Sequence, residues 1–268
     1  MPKKRFMVLI PCRLDSTRLP GKALKKLGEK TLIETVYFNA KQALEEIELD
    51  ADVAVCTDST EIANTLAASS VPTYMTSSAH KNGTERIAEC ITRYDLDHEF
   101  IIDIQGDEPF VNSEIIEVVA REVEAQASLG RQKEYIILPH QVMNHEEAAR
   151  DSVVKIVLSR HGHVMYMSRA LIPQTHKPND SSNATLYAKH LSVIGFTRSA
   201  LTRYAELERG EHESCEDIEL LRALEDGIVI ISPRSVSSTF SIDTEADLHK
   251  ARKLMRKQGM TAKSVERE

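Results

Sequence analysis

The stretch FMVLIPCRLDSTRLPGKAL (6–24) decides the fold class, because an apolar run gives way at once to a polar, basic loop. The run at 6–11 is too short for a membrane span, and Pro11 and Arg13 end it too early for a signal peptide. It therefore predicts a buried first strand. Ligands of α/β sheets bind beyond the carboxyl ends of the strands, so the loop that follows is a candidate binding site.

Outward from this unit, short strand-like runs alternate with segments of helical period through the first half of the chain. The predicted strands are 52–57 and 100–105, and the predicted helices are 32–44, about 59–70 and 83–94. This alternation is typical of βαβ crossovers, and it predicts a mainly parallel, Rossmann-like nucleotide-binding sheet.

The pattern changes after about residue 135. A predicted hairpin at 153–169, a polar loop at 177–185 and a strand at 189–196 indicate a smaller inserted unit, antiparallel and rich in β-structure. Beyond it come a predicted helix at 215–227, a strand at 229–233 and a last helix after Asp243. We expect two domains. Residues 1–134 and 212–268 form the mainly parallel domain, and residues 135–211 form the smaller one.

Composition narrows the choice of partners and compartment. The formal net charge of −7 gives no general attraction to nucleic acid or to an anionic membrane, so any anionic ligand needs a local group of cations. The four cysteines have neither the spacing of a zinc site nor that of a disulfide framework. We expect a cytoplasmic protein that binds neither nucleic acid nor a membrane.

The basic loop is the first candidate site. It brings together cations, hydroxyls and a glycine, the donors that a triphosphate needs: Arg13, Ser16, Thr17, Arg18, Gly21 and Lys22. It matches neither the dinucleotide-binding glycine pattern nor a P-loop. Composition alone leaves a solvated basic loop equally open.

Two carboxylates form the second candidate site. Asp107 in DIQGDEP (103–109) and Asp243 in SIDTEADL (241–248) each follow a predicted strand, where they could hold a hard cation through oxygen. Taken singly, each acid has a simpler explanation: a turn acid that caps the next helix for Asp107, and ordinary helix N-capping for Asp243.

Several polar residues elsewhere have weaker signals. Asn82, Gly83 and Thr84 open a predicted helix, whose terminal N–H groups could meet a phosphate or a base, or could simply be capped. Arg169 and His190 lie inside apolar runs, and satisfied core residues are the simpler explanation for both.

Taken together, these motifs resemble the CMP-Kdo synthetases, the 3-deoxy-manno-octulosonate cytidylyltransferases. The matching segments occur in order over residues 6 to about 255: STRLPGK (16–22), NGTERIAE (82–89), QGDEP (105–109), YMSRALIP (166–173), KHLSVIGF (189–196) and IDTEADL (242–248). The resemblance implies an enzyme that uses CTP and Mg²⁺ to activate an octulosonate-type sugar acid for lipopolysaccharide biosynthesis, and that works as a homodimer. It also implies that residues 1–134 and 212–268 form a nucleotide-binding domain, and that residues 135–211 form a sugar-binding and dimerisation domain.

The resemblance also assigns roles to residues. It places the triphosphate on Arg13, Ser16, Arg18 and Lys22, with further CTP contacts from Asn82, Gly83, Thr84 and Gln105. It gives Mg²⁺ to Asp107 and Asp243, and the sugar acid to Arg169 and His190. The catalytic set is then Arg13, Lys22, Asp107 and Asp243. Little covalent work falls to such a protein, because positioning and charge neutralisation dominate.

The sugar half departs from the family pattern. Where the family reads H-L-G-I-Y-G-Y, this chain has Ser192, Ile194 and Phe196, and where the family reads E-Q-L-R, it has Glu219 followed by Leu220. Lost amide and phenol groups predict a modified sugar, 8-amino-3,8-dideoxy-manno-octulosonate, with ordinary Kdo as the alternative. An ammonium on that sugar could pair with the acidic segment that contains Glu213, Glu216, Asp217 and Glu219.

Three rival functions remain at this point. A sialic-acid cytidylyltransferase shares the chemistry but usually lacks QGDEP and IDTEADL in this form. An NAD-dependent dehydrogenase is disfavoured because the glycine fingerprint is missing. A non-catalytic nucleotide-binding protein would not require two metal-binding acids.

Overall fold

The computed structural model describes residues 5–130, 133–174 and 187–265, with side chains as far as residue 256. The predicted polar loop at 177–185 lies outside the described residues. No helix in these ranges is long and apolar enough to cross a membrane.

The elements follow one another with short connections. The strands are β1 (Phe6–Cys12), β2 (Lys26–Leu27), β3 (Lys30–Thr31), β4 (Ala51–Thr57), β5 (Thr73–Met75), β6 (Phe100–Ile104), β7 (Tyr135–Ile137), β8 (His140–Met143), β9 (Lys155–Leu158), β10 (Val164–Ser168), β11 (Tyr187–His190), β12 (Val193–Thr197) and β13 (Val229–Ile231). The α-helices are α1 (Leu32–Glu46), α2 (Thr60–Ala68), α3 (Gly83–Arg93), α4 (Ser113–Leu129), α5 (His145–Ala148), α6 (Arg198–Glu206), α7 (Glu211–Glu216), α8 (Leu221–Glu225) and α9 (Glu245–Val265). A single 3₁₀ turn covers Lys22–Leu24.

Two larger sheets organise the described chain. The central sheet has the order β13-β7-β12-β6-β1-β4-β5, and it is parallel except where β12 pairs with β6 and β7. The second sheet has the order β10-β9-β11-β8 and is antiparallel throughout. The expected fold class, a mainly parallel sheet with a smaller antiparallel unit, is confirmed.

Helices cover both faces of the central sheet, which explains why β1 is buried along its whole length. Phe6, Val8 and Ile10 point into the core formed with α1 and α4, while Met7 and Leu9 point into the core formed with α3 and α6. This period of two divides the apolar run between two cores, and it leaves the polar loop at the strand's carboxyl end.

The run KHLSVIGF (189–196) is two strands rather than the one predicted. β11 ends at His190 in the small sheet, and β12 begins at Val193 in the central sheet. The Leu191 amide still donates to the Pro139 carbonyl at 2.8 Å, next to the His190–His140 pair, and the chain then crosses to the central sheet.

The predicted helix at 215–227 is also divided. Asp217 adopts a left-handed conformation with φ of 53°, which ends α7, and α8 begins only at Leu221. The residues in between, Ile218 to Leu220, are therefore free to face a cavity instead of completing a helical face.

The domain boundary lies further inside the chain than expected. β7, β12 and α6 fall within the predicted 135–211 unit, yet β7 and β12 pair inside the central sheet and α6 packs against β12. The antiparallel unit therefore covers only the segment from β8 to β11, about 140–190.

Candidate active site

A cavity of ≈ 270 Å³ opens at the carboxyl ends of β1 and β6. The loop after β1, the start of α3 and the turn after β6 line it, and it contains most of the predicted nucleotide side: Arg13, Ser16, Arg18, Lys22, Asn82, Gly83, Gln105, Asp107 and Asp243. Parallel strands end at the same edge of a sheet, which is why these distant segments meet here.

Lys22 is the centre of an ionic network in this cavity. Its Nζ lies 2.6 Å from Asp107 Oδ2 and 3.2 Å from Asp243 Oδ1. Arg18 Nη2 approaches the same Asp243 oxygen at 3.0 Å. Burial opposes the charge on Lys22, but the two carboxylates outweigh it and raise its pKa above the ordinary value. The predicted basic loop and the predicted acid pair are thus one site.

Two glycines allow the backbone to approach closely. A Cβ on Gly106 would lie 2.7 Å from the Pro11 carbonyl oxygen, so no side chain fits there. A Cβ on Gly83 would lie 3.1 Å from Pro11 Cγ, at the point where α3 begins beside the loop. Gly106 thus lets the turn after β6 approach the loop after β1, and Gly83 lets the first turn of α3 approach the same loop.

The start of α3 is well anchored. Asn82 is its N-cap, accepting from the Glu85 amide at 2.8 Å and donating to the Tyr204 hydroxyl at 3.2 Å. Thr84, which was predicted to contact the nucleotide, is fully buried and does not line the cavity. Its amide donates instead to Glu219 Oε2 at 3.5 Å.

A second cavity of ≈ 420 Å³ adjoins the first and shares with it Lys81, Asn82, Gly83 and Gln105. Its wall contains five of the six residues predicted for the sugar: Arg169, His190, Ile194, Glu219 and Leu220. The two cavities thus meet at one common wall.

Arg169 and His190 differ in charge within the second cavity. The Arg169 guanidinium donates to the backbone carbonyls of Glu216 at 2.8 Å and Asp217 at 3.2 Å, and it pairs with no carboxylate side chain among the described residues. Burial lowers the pKa of His190 to about 4, so its imidazole is neutral near pH 7. These two residues therefore give the cavity a guanidinium cation and a neutral imidazole.

Ser192 does not line this cavity. Its side chain lies near the buried carboxyl of Glu108, on the side of the nucleotide loop. Burial raises the pKa of Glu108 to about 7, and the Ser241 hydroxyl also donates to this carboxyl.

Sequence reasoning missed several residues of the site. Lys81 and Arg86 line the first cavity, and Arg209 lines the second. Arg86 is buried and contacts Asp58 at 3.4 Å, and its place in GTER next to Gly83 could have indicated it. Asp103, buried in the middle of β6, had no signal beyond an acid inside an apolar run.

A parallel α/β sheet with a basic loop, an acid pair and a closely approaching helix N-terminus defines a nucleotide-binding protein of the nucleotidyltransferase type. Comparison with known families makes this specific, because the cytidylyltransferase model matches residues 7–236. The chain belongs to the cytidylyltransferase family, within the 3-deoxy-manno-octulosonate cytidylyltransferases, and is a CTP-dependent nucleotidyltransferase.

Individual relatives agree with this assignment. The 3-deoxy-manno-octulosonate cytidylyltransferase of Wolinella succinogenes is 34% identical over 92% of this chain and 98% of its own length. That of Anaeromyxobacter is 36% identical over 94% of this chain and 97% of its own length. A CMP:2-keto-3-deoxy-manno-octonic acid synthetase solved with CTP is 29% identical, with a TM-score of 0.84 over 95% of this chain and 100% of that chain.

Proposed function

We propose that this enzyme transfers CMP from CTP to the anomeric hydroxyl of a Kdo-type sugar acid and releases pyrophosphate, in lipopolysaccharide biosynthesis. The observation that carries the proposal is the common wall between the two cavities. One cavity holds the cations and acids suited to a triphosphate. In the other, neutral His190 accompanies Arg169, which forms no ion pair with a carboxylate side chain among the described residues. The relatives named for this reaction cover nearly the whole chain.

The acid pair suits Mg²⁺. Asp107 and Asp243 already hold one cation, the Lys22 ammonium, between them. No third His, Cys, Asp or Glu joins them into a metal-binding cluster in the described ranges, and Mg²⁺ typically uses one or two carboxylates together with substrate phosphates. When bound there, Mg²⁺ would neutralise phosphate charge and lower the pKa of the attacking hydroxyl.

The protein's own side chains position the substrates and neutralise charge. Arg13 and Lys22 face the first cavity, where they would stabilise the charge that builds on the departing pyrophosphate. Arg169, with no carboxylate partner, would hold the carboxylate of the sugar acid. Neutral His190 has a nitrogen free to accept from a sugar hydroxyl. The anomeric oxygen then attacks the α-phosphorus in line at the place where the two cavities adjoin.

We also propose that 8-amino-3,8-dideoxy-manno-octulosonate is the preferred sugar. Ile194 and Leu220, which replace a phenol and an amide of the family pattern, both line the second cavity. Of the four acids expected to meet an ammonium, Glu213 pairs with Arg222 at 2.6 Å and Asp217 pairs with Arg209 at 3.0 Å. The carboxylate of Glu216 is occupied by the Ser168 hydroxyl and the Arg169 amide, so Glu219 alone remains.

One assay tests both the octulosonate class of substrate and the preference for the amino sugar. Pyrophosphate release is measured with CTP, Mg²⁺ and a panel containing the amino sugar, Kdo and sialic acid. We expect release with both octulosonates and a higher kcat/KM for the amino sugar. A ratio near one, or one favouring Kdo, contradicts the finer proposal only, whereas release with sialic acid alone contradicts the octulosonate class.

The substitution pair Ile194→Tyr and Leu220→Gln is the sharper test of specificity. Both side chains line the second cavity, so restoring the phenol and the amide should move the preference toward Kdo. Ser192→Gly is the matched control, because Ser192 faces Glu108 rather than the cavity. Sedimentation of the purified protein tests the expected homodimer, and cell fractionation tests the expected cytoplasmic location.

A further inference from the structure

Asp103 is a buried acid directly behind the wall of the second cavity, where it accepts a hydrogen bond from the lining residue Gln105. It is fully inaccessible to solvent in the middle of β6, where its register partners are Leu9 on β1 and Ile194 on β12. Directly opposed residues on neighbouring strands project from the same face of a sheet. Ile194 lines the second cavity, so Asp103 lies on that side of the sheet.

The carboxyl of Asp103 is only half satisfied. Oδ2 accepts from Gln105 Nε2 at 2.8 Å, whereas Oδ1 is buried with no hydrogen-bond partner. No salt bridge to Asp103 exists among the residues that the structure describes. Burial of a carboxylate without a cation is costly, and burial together with the nearby charge of Glu219 raises the pKa of Asp103.

Glu219 is the second acid without a cation at this cavity. Among the described residues, its carboxylate accepts a hydrogen bond from the Thr84 amide, 3.5 Å from Oε2, and forms no salt bridge. Burial raises the pKa of Glu219 to about 7. Glu219 and Gln105, the partner of Asp103, both contact the first turn of α3: a Cβ on Gly83 would lie 3.4 Å from Gln105 Nε2. The two acids are thus close neighbours at the common wall.

We propose that Asp103 and Glu219 together form the binding site for a protonated amino group on the sugar substrate. The electrostatics fit, because burial and mutual repulsion make negative charge on these two carboxyls costly when no cation is near. A single ammonium neutralises that charge and donates hydrogen bonds to the unpartnered Asp103 Oδ1 and to Glu219. A hydroxyl at the same place can donate one hydrogen bond but leaves the charge uncompensated. The inference rests on the proposed function, and it adds Asp103 as a determinant of specificity.

The test compares kcat/KM for 8-amino-3,8-dideoxy-manno-octulosonate and Kdo in the wild type, Asp103→Asn and Glu219→Gln. Each substitution keeps the shape and removes one ionisable carboxyl. We expect the amino-sugar to Kdo ratio to fall by about tenfold or more in each variant, the scale of a hydrogen bond to a charged group. Asp217→Asn is the matched control, because the same charge change in the same cavity affects an acid that already has Arg209 as its partner.

The possible outcomes distinguish a failure of the ammonium-binding site from a failure of the proposed function. Equal losses for both sugars mean that Asp103 and Glu219 only support the structure, and an unchanged ratio means that the ammonium binds elsewhere. Both results overturn the inference. A wild-type enzyme that uses Kdo but not the amino sugar also overturns it, while leaving the octulosonate function intact. If neither sugar releases pyrophosphate although CTP binds, the proposed function itself fails.

Discussion

At the scale of single residues, Lys22 connects the two halves of the nucleotide site. Its ammonium lies between Asp107 and Asp243, so three charges that are 85 and 221 positions apart in sequence compensate one another before substrates bind. Each partner is only partly exposed, which strengthens the interaction relative to a surface pair. Changing any one of the three alters the field in which the phosphates are held.

The acids are the first place to test this arrangement. We expect Asp107→Asn and Asp243→Asn each to lower turnover by roughly 10²-fold or more, the usual effect of losing one preorganised charge-stabilising group. Steady-state rates at saturating Mg²⁺ check the prediction. Asp95→Asn, at an exposed acid outside both cavities, serves as the control. Full activity in either site variant, with the fold intact, would remove that residue from the metal site.

The cations of the loop should act mainly on the nucleotide. We expect Lys22→Ala and Arg18→Ala to weaken CTP binding more than sugar binding, because both side chains line the first cavity and neither lines the second. Calorimetry with CTP measures the effect. Lys26→Ala is a matched control on an exposed lysine that only contacts the Glu29 carbonyl. Unchanged CTP affinity in the site variants would mean that the loop is a solvated surface.

At the scale of elements, the start of α3 is held by the α7–α8 segment. Arg222 Nη2 contacts Glu85 at 2.9 Å, its Nε contacts Glu213 at 2.6 Å, and its guanidinium lies 4.9 Å from the Tyr204 ring centroid. These contacts fasten the helix that walls the first cavity to the segment that walls the second. Local sequence patterns could not show this, because the partners are 137 positions apart.

Arg222 should accordingly be important for stability. We expect Arg222→Met to lower the free energy of unfolding by about 3–5 kcal/mol, because the buried Glu213 would lose its 2.6 Å partner and be left with a longer contact of 3.6 Å to Arg209. Urea unfolding measures the change. Arg203→Met provides the control, since Arg203 forms exposed ion pairs with Glu134 and Asp226, and its loss should cost far less. Equal effects of the two substitutions would contradict a special role for the buried pair.

The sequence predicts most of the strands and helices, but not the positions at which two of the predicted elements are interrupted. The apolar runs of β1, β4 and β6 have the length and alternation of buried strands, and each lies within a residue of its predicted position. The breaks in 189–196 and 215–227 have other causes: a turn that leaves one sheet for another, and a left-handed Asp217. Both are set by tertiary contacts, which periodicity does not record.

At the scale of the whole molecule, the two cavities are built from segments that only the sheet order brings together. The strand-end loops of the first cavity followed from the parallel pattern, so the basic loop and Asp107 could be predicted. Asp243 does not follow a strand as expected, and only the resemblance indicated it. The floor of the second cavity depends on β12 lying antiparallel beside β6, which places Ile194 opposite Asp103. That pairing was not predictable, and for this reason Asp103 escaped notice.

Buried acids also give the whole molecule a pH-dependent stability. The pKa of Asp103 is raised in the folded protein, mainly by burial, and is ordinary in the unfolded chain. In the window between the two values, the folded state keeps a proton that the unfolded chain has released. Raising the pH through this window therefore lowers stability, by up to about 1.4 kcal/mol per pH unit for one group. Neutral His190, whose pKa is lowered to about 4, acts in the opposite direction below about pH 6.5.

The difference in unfolding free energy between the wild type and Asp103→Asn isolates the contribution of Asp103 from those of the other titratable groups. Asp103→Asn removes the retained proton but leaves His190, Glu108 and Glu219 in place, so their contributions largely cancel in the comparison. We expect the variant to be more stable than the wild type at neutral pH, with an advantage that grows as the pH rises above the ordinary pKa of an aspartic acid. Urea unfolding without substrates measures it, with Asp95→Asn as the control. A pH-independent difference would mean that Asp103 ionises alike in both states. A variant that gains stability while losing its preference for the amino sugar would show that this carboxyl is kept for binding, at the expense of the fold.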